Sequence, residues 1–128
     1  MSNPNVHILV VEDNVAIQFV LNKMLSKRGY RVTCVNDGLK ALKLQKENPV
    51  DLIFMDVSMP IMDGLTSTRE IRRIQKPSAD VPIIALTAHH LIEQKAQCIA
   101  AGMDDFLIKP AKAADLVDKI NCWVTPIQ

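Results

Sequence analysis

The 128-residue chain, 48% hydrophobic and 23% charged, has the size and composition of one globular domain with a buried core. Its formal net charge of +1, with scattered basic residues, gives no basic surface for a nucleic-acid backbone, so we expect no nucleic-acid partner. No apolar run approaches the ~20 residues that span a bilayer, and the start lacks the regions of a signal peptide. We therefore expect a cytoplasmic protein without membrane contact, forming a single domain over residues 1–128 with its core at about 6–124.

Short β-rich runs alternate with helical stretches along the chain. Several of the runs are apolar on both faces, as strands buried between two layers of helices should be. Asn14 is placed to cap the first helix, and Gly29 and Gly102 are placed to end the first and fourth. The predicted strands are 6–11, 31–35, 51–55, 81–87 and 105–108, and the predicted helices are 15–27, 38–46, 64–74, 91–101 and 112–123.

Strict alternation of strand and helix predicts an α/β fold: a parallel sheet with right-handed crossovers and helices on both faces. For five strands and five helices we expect the strand order 2-1-3-4-5, which is the flavodoxin-like doubly wound topology. In such sheets the ligand crevice lies beyond the carboxyl ends of strands 1 and 3, where the strand order reverses. Residues that follow these strands are therefore the candidates for a functional site.

Charged and hydroxyl side chains stand at several strand ends on this edge of the predicted sheet. Glu12 and Asp13 follow strand 1, and Asp56 follows strand 3. Converging carboxylates repel one another unless a cation lies among them, so the pattern predicts a site for a hard metal ion, Mg²⁺. Lys109 follows strand 5 and offers a compact positive charge for a phosphoryl oxygen. Thr87 ends strand 4 and offers a hydroxyl to the same group.

The combination indicates phosphoryl transfer. A carboxylate beside a metal ion can attack a phosphoryl group, and the metal offsets the charge of the incoming phosphate. Taken singly, Asp56 is an ordinary turn residue, Thr87 a β-favouring strand end and Lys109 a surface lysine. Their shared edge, together with the acidic pair, favours a catalytic set of Asp56, Thr87 and Lys109, with Asp56 as the phosphorylated residue.

The ordered set of motifs resembles the receiver domain of two-component response regulators over nearly the whole chain. The sequences of the motifs are most similar to those of receivers in hybrid histidine kinases and phosphorelays. The resemblance implies that Asp56 accepts phosphate from a histidine kinase or a histidine phosphotransfer domain. It also implies a downstream protein target, which the sequence does not identify. The motifs are Glu12-Asp13, residues 56–60 with 62–64, Thr87-Ala88 and Lys109-Pro110.

By the same resemblance, Mg²⁺ would be bound by Glu12, Asp13, Asp56 and the main-chain carbonyl of Ser58. Ser58 and His89 occupy family positions that flank the path of the attacking water, so both are candidates for tuning the lifetime of the phosphorylated state. We expect His89 to modulate self-dephosphorylation, and a solvent-exposed loop histidine is the equally weighted alternative.

Thr87 and Phe106 resemble the family's switch pair. The resemblance implies that phosphorylated Asp56 draws the Thr87 hydroxyl inward and that the Phe106 ring rotates into the vacated space. The surface of helix 4, strand 5 and helix 5 would then change shape. Many relatives carry tyrosine where this chain has Phe106, so a hydrogen bond from the ring hydroxyl is absent here.

The first helix has more apolar residues than one buried stripe requires. Val15 and Phe19 fall on the side away from the predicted sheet, so we expect them to be exposed near the crevice and to dock a helical phosphodonor. Contacts between copies of the chain are the alternative use of this patch. The residues expected to face the sheet are Ile17, Val20, Leu21, Met24 and Leu25.

Two other classes of protein compete with a phospho-acceptor. An aspartyl-phosphate phosphohydrolase of related fold generally carries a second acid two residues after the nucleophile, where this chain has Ser58. We therefore expect slow self-dephosphorylation rather than enzymatic turnover. A flavin-binding protein would need a hydroxyl- and glycine-rich loop after strand 1, and the charges of Glu12 and Asp13 would repel a flavin phosphate.

Overall fold

The computed structural model of the chain describes residues 5–57, 63–87 and 92–124. Within these residues, no helix has the length and apolar character needed to cross a membrane. The elements in chain order are β1 (His7–Val11), α1 (Val15–Ser26), β2 (Arg31–Val35), α2 (Gly38–Glu47), β3 (Leu52–Asp56), α3 (Gly64–Ile71), a 3₁₀ turn (Ser78–Asp80), β4 (Ile83–Thr87), α4 (Ile92–Ala101), β5 (Asp105–Ile108) and α5 (Ala113–Trp123).

The strands form one parallel sheet in the order β2-β1-β3-β4-β5, which confirms the predicted flavodoxin-like topology. Val11 at the end of β1 pairs with Val35 of β2 and with Met55 of β3. Asp56 at the end of β3 pairs with Leu86 of β4. All strands point the same way, so the residues that end them lie along one edge.

Two apolar layers hold the sheet between the helices. Alternate residues of the central strands point to opposite faces, which explains why β3 and β4 are buried at every position. One layer packs under α2, α3 and α4, and includes Leu9, Val11, Ile53, Met55, Ile83, Ala41 and Ile71. The other packs under α1 and α5, and includes Ile8, Val10, Phe54, Ile84, Leu25 and Leu116.

Local chemistry sets the element boundaries. The Asn14 side chain accepts a hydrogen bond from Ile17 N at 3.0 Å and so caps α1, as predicted. Gly29 and Gly102 have φ angles of 89° and 109°, a region that glycine enters without steric cost. The β3–β4 ladder continues through Asp56, so this residue ends β3 instead of following it.

Two predicted boundaries are wrong by more than one residue. Helix α3 ends at Ile71 rather than at residue 74, and a 3₁₀ turn that was not predicted follows it. The Arg72 side chain, which bonds to the carbonyls of Ala79 and Val81, holds the chain in this turn. Strand β4 begins at Ile83 rather than at residue 81, because residue 82 is a proline and has no N–H for the ladder.

Helix α1 is buried along its second half and exposed along its first. Leu21 and Leu25 are buried in the apolar layer that includes Leu116 of α5. Ile17 and Val20, expected to face the sheet, are 38% and 47% exposed. They lie on the same side of the helix as Leu21 and line an open groove with Leu86 of β4 and Pro110.

Candidate functional site

Three carboxylates meet at the carboxyl edge of the sheet. One oxygen from each of Glu12, Asp13 and Asp56 lies within 4.8 Å of the other two. The loop after β1 supplies the first two residues, and the end of β3 supplies the third. Glu12 and Asp56 are only 1% and 2% exposed, whereas Asp13 is exposed. Hard divalent cations such as Mg²⁺ prefer a set of carboxylate oxygens of this kind.

Glu12 is held tightly in this cluster. Its main-chain N–H donates to the carbonyl of Val35 at 3.1 Å, and its Oε2 accepts from Asn14 N at 3.2 Å. Burial raises the pKa of the Glu12 carboxyl above its ordinary value, although the Asn14 N–H opposes this shift. The other oxygen, Oε1, is buried and accepts no hydrogen bond from any residue that the structure describes. A buried carboxylate oxygen in this state fits a metal ion or its bound water.

Lys109, which follows β5, is the cation that the described residues bring to this cluster. Its Nζ donates to Asp56 Oδ2 at 3.0 Å and lies 3.2 Å from Glu12 Oε1. Burial alone would lower the pKa of Lys109, but the contacts with Asp56 and Glu12 outweigh burial and raise the pKa. The lysine is therefore charged, and one positive charge faces three carboxylates. The remaining negative charge favours a second cation at this position.

Thr87 ends β4, the strand beside β3, and Phe106 lies on β5, the strand beside β4. Thr87 is buried, and its carbonyl accepts from Lys109 N at 2.7 Å. Ala85 pairs with Phe106 and Thr87 with Ile108, so Thr87 and Phe106 point to the same face of the sheet. The Phe106 ring is half-buried, and Lys95 Nζ lies 5.0 Å from its centroid. A switch pair must share one face of the sheet, as these two residues do. Their role as a switch stays a prediction.

The remaining predicted site residues are either on α1 or outside the described structure. Val15 and Phe19 are exposed on α1, as expected from their helical position. A groove of about 500 Å³ lies on the other side of α1, where Ile17 and Val20 line it. Ser58 and His89 lie outside the described residues, so the predictions for them are unchanged.

Sequence reasoning missed one residue beside the site. The Gln18 side chain of α1 donates to the main-chain carbonyl of Glu12 and, at 3.3 Å, to that of Val35. A polar residue among the apolar residues of this helix is a detectable signal. Its hydrogen-bond partner cannot be detected in the same way, because Val35 is 17 residues away in sequence.

Comparison with known proteins agrees with this geometry. Residues 8–121 match the family described as the response regulator receiver domain. The receiver domain of the sensor histidine kinase PA1611 from Pseudomonas aeruginosa is 45% identical, with a TM-score of 0.85 over 92% of this chain and 96% of that one. Its crystal structure has a magnesium ion coordinated in the active site cleft.

Two further relatives are a yeast complex and a bacterial kinase. The co-crystal structure of the Saccharomyces cerevisiae phosphotransfer protein Ypd1 with the receiver domain of Ssk1 contains a chain 31% identical to this one. The TM-score is 0.87, over 97% of this chain and 92% of that one. The sensor kinase/phosphatase CqsS of Vibrio cholerae is 38% identical over 91% of this chain, which spans 17% of the length of that protein. The family match covers nearly all of the described fold, and the chain therefore belongs to the response regulator receiver domain family.

Proposed function

We propose that the chain is the phospho-acceptor of a two-component phosphorelay and that Asp56 receives the phosphoryl group in a Mg²⁺-dependent reaction. One observation carries the proposal: Asp56 belongs to a cluster of three carboxylates within 4.8 Å and also accepts a hydrogen bond from Lys109 at 3.0 Å. A purely structural ion pair would not need two additional carboxylates beside it.

The reaction is a displacement at phosphorus. An Asp56 carboxylate oxygen attacks the phosphorus of a phosphohistidine, the P–N bond breaks, and its electron pair remains on the imidazole of the donor. Glu12, Asp13 and Asp56 would hold Mg²⁺, which when bound offsets the negative charge of the phosphoryl oxygens. The main-chain carbonyl of Ser58 is the further predicted ligand.

Lys109 is placed to serve both states of Asp56. Before transfer, its ammonium group pairs with the Asp56 carboxylate at 3.0 Å. The acyl phosphate adds about 1.5–2 negative charges at neutral pH, and the same ammonium then pairs with a phosphoryl oxygen. Thr87 would donate its hydroxyl to that group from the adjacent strand. The phosphate is thus contacted by Asp56, Thr87 and Lys109. These residues assist its slow hydrolysis, and the chain does not turn over phosphate as an enzyme would.

The histidine donor is a histidine kinase or a histidine phosphotransfer domain, and it docks on the exposed side of α1. Val15 and Phe19 form an exposed apolar patch on α1, and Ile17 and Val20 of the same helix line a groove together with Glu12 and Lys109. An exposed apolar surface on the helix beside the acidic cluster suits a donor that must bring its own side chain to Asp56. The complex of Ypd1 with the Ssk1 receiver supports a donor of this class.

Phosphorylation is transmitted to a downstream protein through Thr87 and Phe106. The cation–π contact from Lys95 at 5.0 Å stabilises the half-exposed position of the Phe106 ring. Movement of Thr87 toward the phosphate would open space for the ring on the same face of the sheet. The surface of α4, β5 and α5 would change as the ring leaves Lys95.

Ser58 and His89 tune how long the phosphate stays. The rate at which the acyl phosphate decays in His89→Ala tests this assignment, and an unchanged rate would remove His89 from it.

Incubation with acetyl phosphate and Mg²⁺, followed by intact-mass measurement and peptide mapping, tests the phospho-acceptor function. We expect an adduct of one phosphate on Asp56. The adduct should be absent from Asp56→Asn, which keeps the fold, and from wild-type protein treated with a chelator. An adduct that maps to another residue contradicts the proposal. Steady consumption of acetyl phosphate without an adduct would instead indicate a phosphohydrolase.

A further inference from the structure

Gln18 links the ends of two strands next to the acidic cluster. The registered pairing of β1 with β2 and with β3 ends at Val11, so the Glu12 carbonyl lies beyond the last strand pair. The Gln18 side-chain amide donates to this carbonyl and to that of Val35. Val35 O also accepts from Glu12 N at 3.1 Å, so these groups form a closed hydrogen-bonded ring.

This ring restrains the backbone of a residue whose carboxylate is repelled by two neighbouring carboxylates and attracted by Lys109. The Glu12 carboxylate is 1% exposed and within 4.8 Å of the oxygens of Asp13 and Asp56. Like charges at this distance favour a rearranged loop in which the carboxylates separate. Gln18 fixes the carbonyl side of Glu12, and Val35 O fixes its N–H. A carboxylate whose backbone is fixed on both sides stays directed toward the other two.

We infer that Gln18 is a positioning residue, which raises the affinity of the Glu12–Asp13–Asp56 cluster for Mg²⁺ by fixing the backbone of Glu12. The inference rests on the proposed function, because it assigns Glu12 to the metal site. Gln18 itself contacts neither the ion nor the phosphate. Groups that orient metal ligands from behind typically change metal affinity by about 10–100-fold when they are removed.

Gln18→Met tests the inference, because methionine has a similar length and no N–H donor. Calorimetric titration of the full chain with Mg²⁺ should show the Kd rising about tenfold. In Mg²⁺-free protein, hydrogen exchange of the Glu12 amide should become faster, because its partner Val35 is no longer tied to Gln18. The matched control is Asn22→Met, one turn further along α1, where the side chain accepts from Ser26 Oγ at 2.7 Å. We expect the control to change neither measurement.

Phosphorylation by acetyl phosphate separates positioning from general damage. The rate in Gln18→Met should be reduced at low Mg²⁺ and should recover to the wild-type value once Mg²⁺ saturates the site. A rate that stays low at saturation, or an unchanged Kd with unchanged Glu12 exchange, overturns the inference. If Gln18→Met does not fold, Gln18→Asn serves instead, since its amide is one methylene too short to reach both carbonyls. Failure of the proposed function shows in the wild-type protein itself, as a lack of Mg²⁺ binding or of an adduct on Asp56.

Discussion

The sheet has a charged cluster at each edge, and the two differ in how completely their polar atoms are paired. At the amino edge, the guanidinium of Arg72 donates from all three of its nitrogens. It bonds to the carbonyls of Gly102, Ala79 and Val81 at 2.6–2.8 Å and to Asp104 Oδ2 at 2.8 Å. The same Asp104 oxygen accepts from Ile83 N at 2.9 Å. The cluster is electrically balanced and joins the end of α3 to the starts of β4 and β5.

At the carboxyl edge, pairing is incomplete. Lys109 faces Glu12 and Asp56, with Asp13 nearby, and among the residues that the structure describes Glu12 Oε1 accepts no hydrogen bond. A balanced cluster stabilises a fold, whereas a cluster with excess negative charge and a buried oxygen that accepts no hydrogen bond stabilises a bound cation. We therefore assign stability to the Arg72 cluster and ion binding to the Lys109 cluster, and variants of Arg72 and Asp13 test the two assignments.

Arg72→Ala should have the largest effect, a loss of about 3 kcal/mol in the free energy of unfolding, because it leaves Asp104 without its cation and three carbonyls without a donor. The Kd for Mg²⁺ should not change. Urea unfolding and Mg²⁺ titration measure the two quantities. Arg73→Ala is the matched control, since Arg73 is exposed just after α3 and its ion pair among the described residues is with Glu70; it should cost less than about 0.5 kcal/mol. Equal losses in the two variants would contradict the assigned role of Arg72.

Asp13→Ala should weaken Mg²⁺ binding without lowering stability, which is the reverse of the effect expected for Arg72→Ala. Loss of one of three carboxylates should weaken Mg²⁺ binding by on the order of 100-fold and remove most of the phosphorylation rate. Without Mg²⁺, the free energy of unfolding should stay the same or rise slightly, because repulsion from Glu12 and Asp56 is relieved. Asp118→Ala serves as the control, because Asp118 is an exposed residue of α5 and its loss removes the same charge away from the site. A destabilised Asp13→Ala variant with normal Mg²⁺ affinity would reverse the comparison.

The carboxyl edge was far more predictable from sequence than the amino edge. Alternating apolar runs determine the strands, and parallel strands bring their ends together, so the positions of Asp13 and Lys109 along the chain suffice to assign both to one edge. The partners of Arg72 have no such signal. They are main-chain carbonyls at residues 79, 81 and 102, which no side-chain pattern marks, and Arg72 was expected inside a longer α3.

The exposure of α1 was predicted only in part, for a different reason. Helical periodicity gives the angle of each residue around the helix axis but not how far a neighbouring helix extends along it. Leu21 and Ile17 fall close together on the helical wheel, yet only Leu21 is packed by α5. Val15 and Phe19 were predicted to be exposed because they lie on the far side of the wheel, where no packing partner is required.

Phe19→Ser should affect only the docking of the phosphodonor protein. Phe19 is 64% exposed, so its replacement should leave the fold and the Mg²⁺ site unchanged. Transfer from a phosphorylated histidine phosphotransfer domain, used as a test donor, should slow about tenfold, because an aromatic side chain buried in an interface contributes strongly to binding. Phosphorylation by acetyl phosphate needs no docking and should keep its rate. Ile99→Ser is the control, because Ile99 is an apolar residue of α4 that is exposed to a similar extent. Slowing of both donors in Phe19→Ser would exclude a docking role.

Asp105→Asn should have the smallest effect, and its pH dependence identifies the cause. Asp105 Oδ2 accepts from Lys119 Nζ at 2.8 Å and from Trp123 Nε1 at 3.0 Å. Burial would raise the pKa of Asp105, but these bonds outweigh burial and lower the pKa below its ordinary value of 3.8. A carboxyl whose folded pKa is lowered stabilises the fold above the unfolded pKa, and this contribution is lost as the pH falls through the folded pKa. Asp105→Asn should therefore cost about 1 kcal/mol at neutral pH and much less in acid.

Urea unfolding of wild type and Asp105→Asn at neutral pH and well below pH 3.8 checks this expectation. The chain has a single tryptophan, Trp123, and its fluorescence reports directly on the cluster around Asp105. Lys119→Met should reproduce most of the loss, and the double variant should lose little more, because both changes break the same ion pair. A loss of equal size at both pH values would assign the role of Asp105 to packing instead of charge. The contact between the end of α5 and β5 would then depend on packing, as the apolar layers do, and not on an ion pair of the kind seen at Arg72.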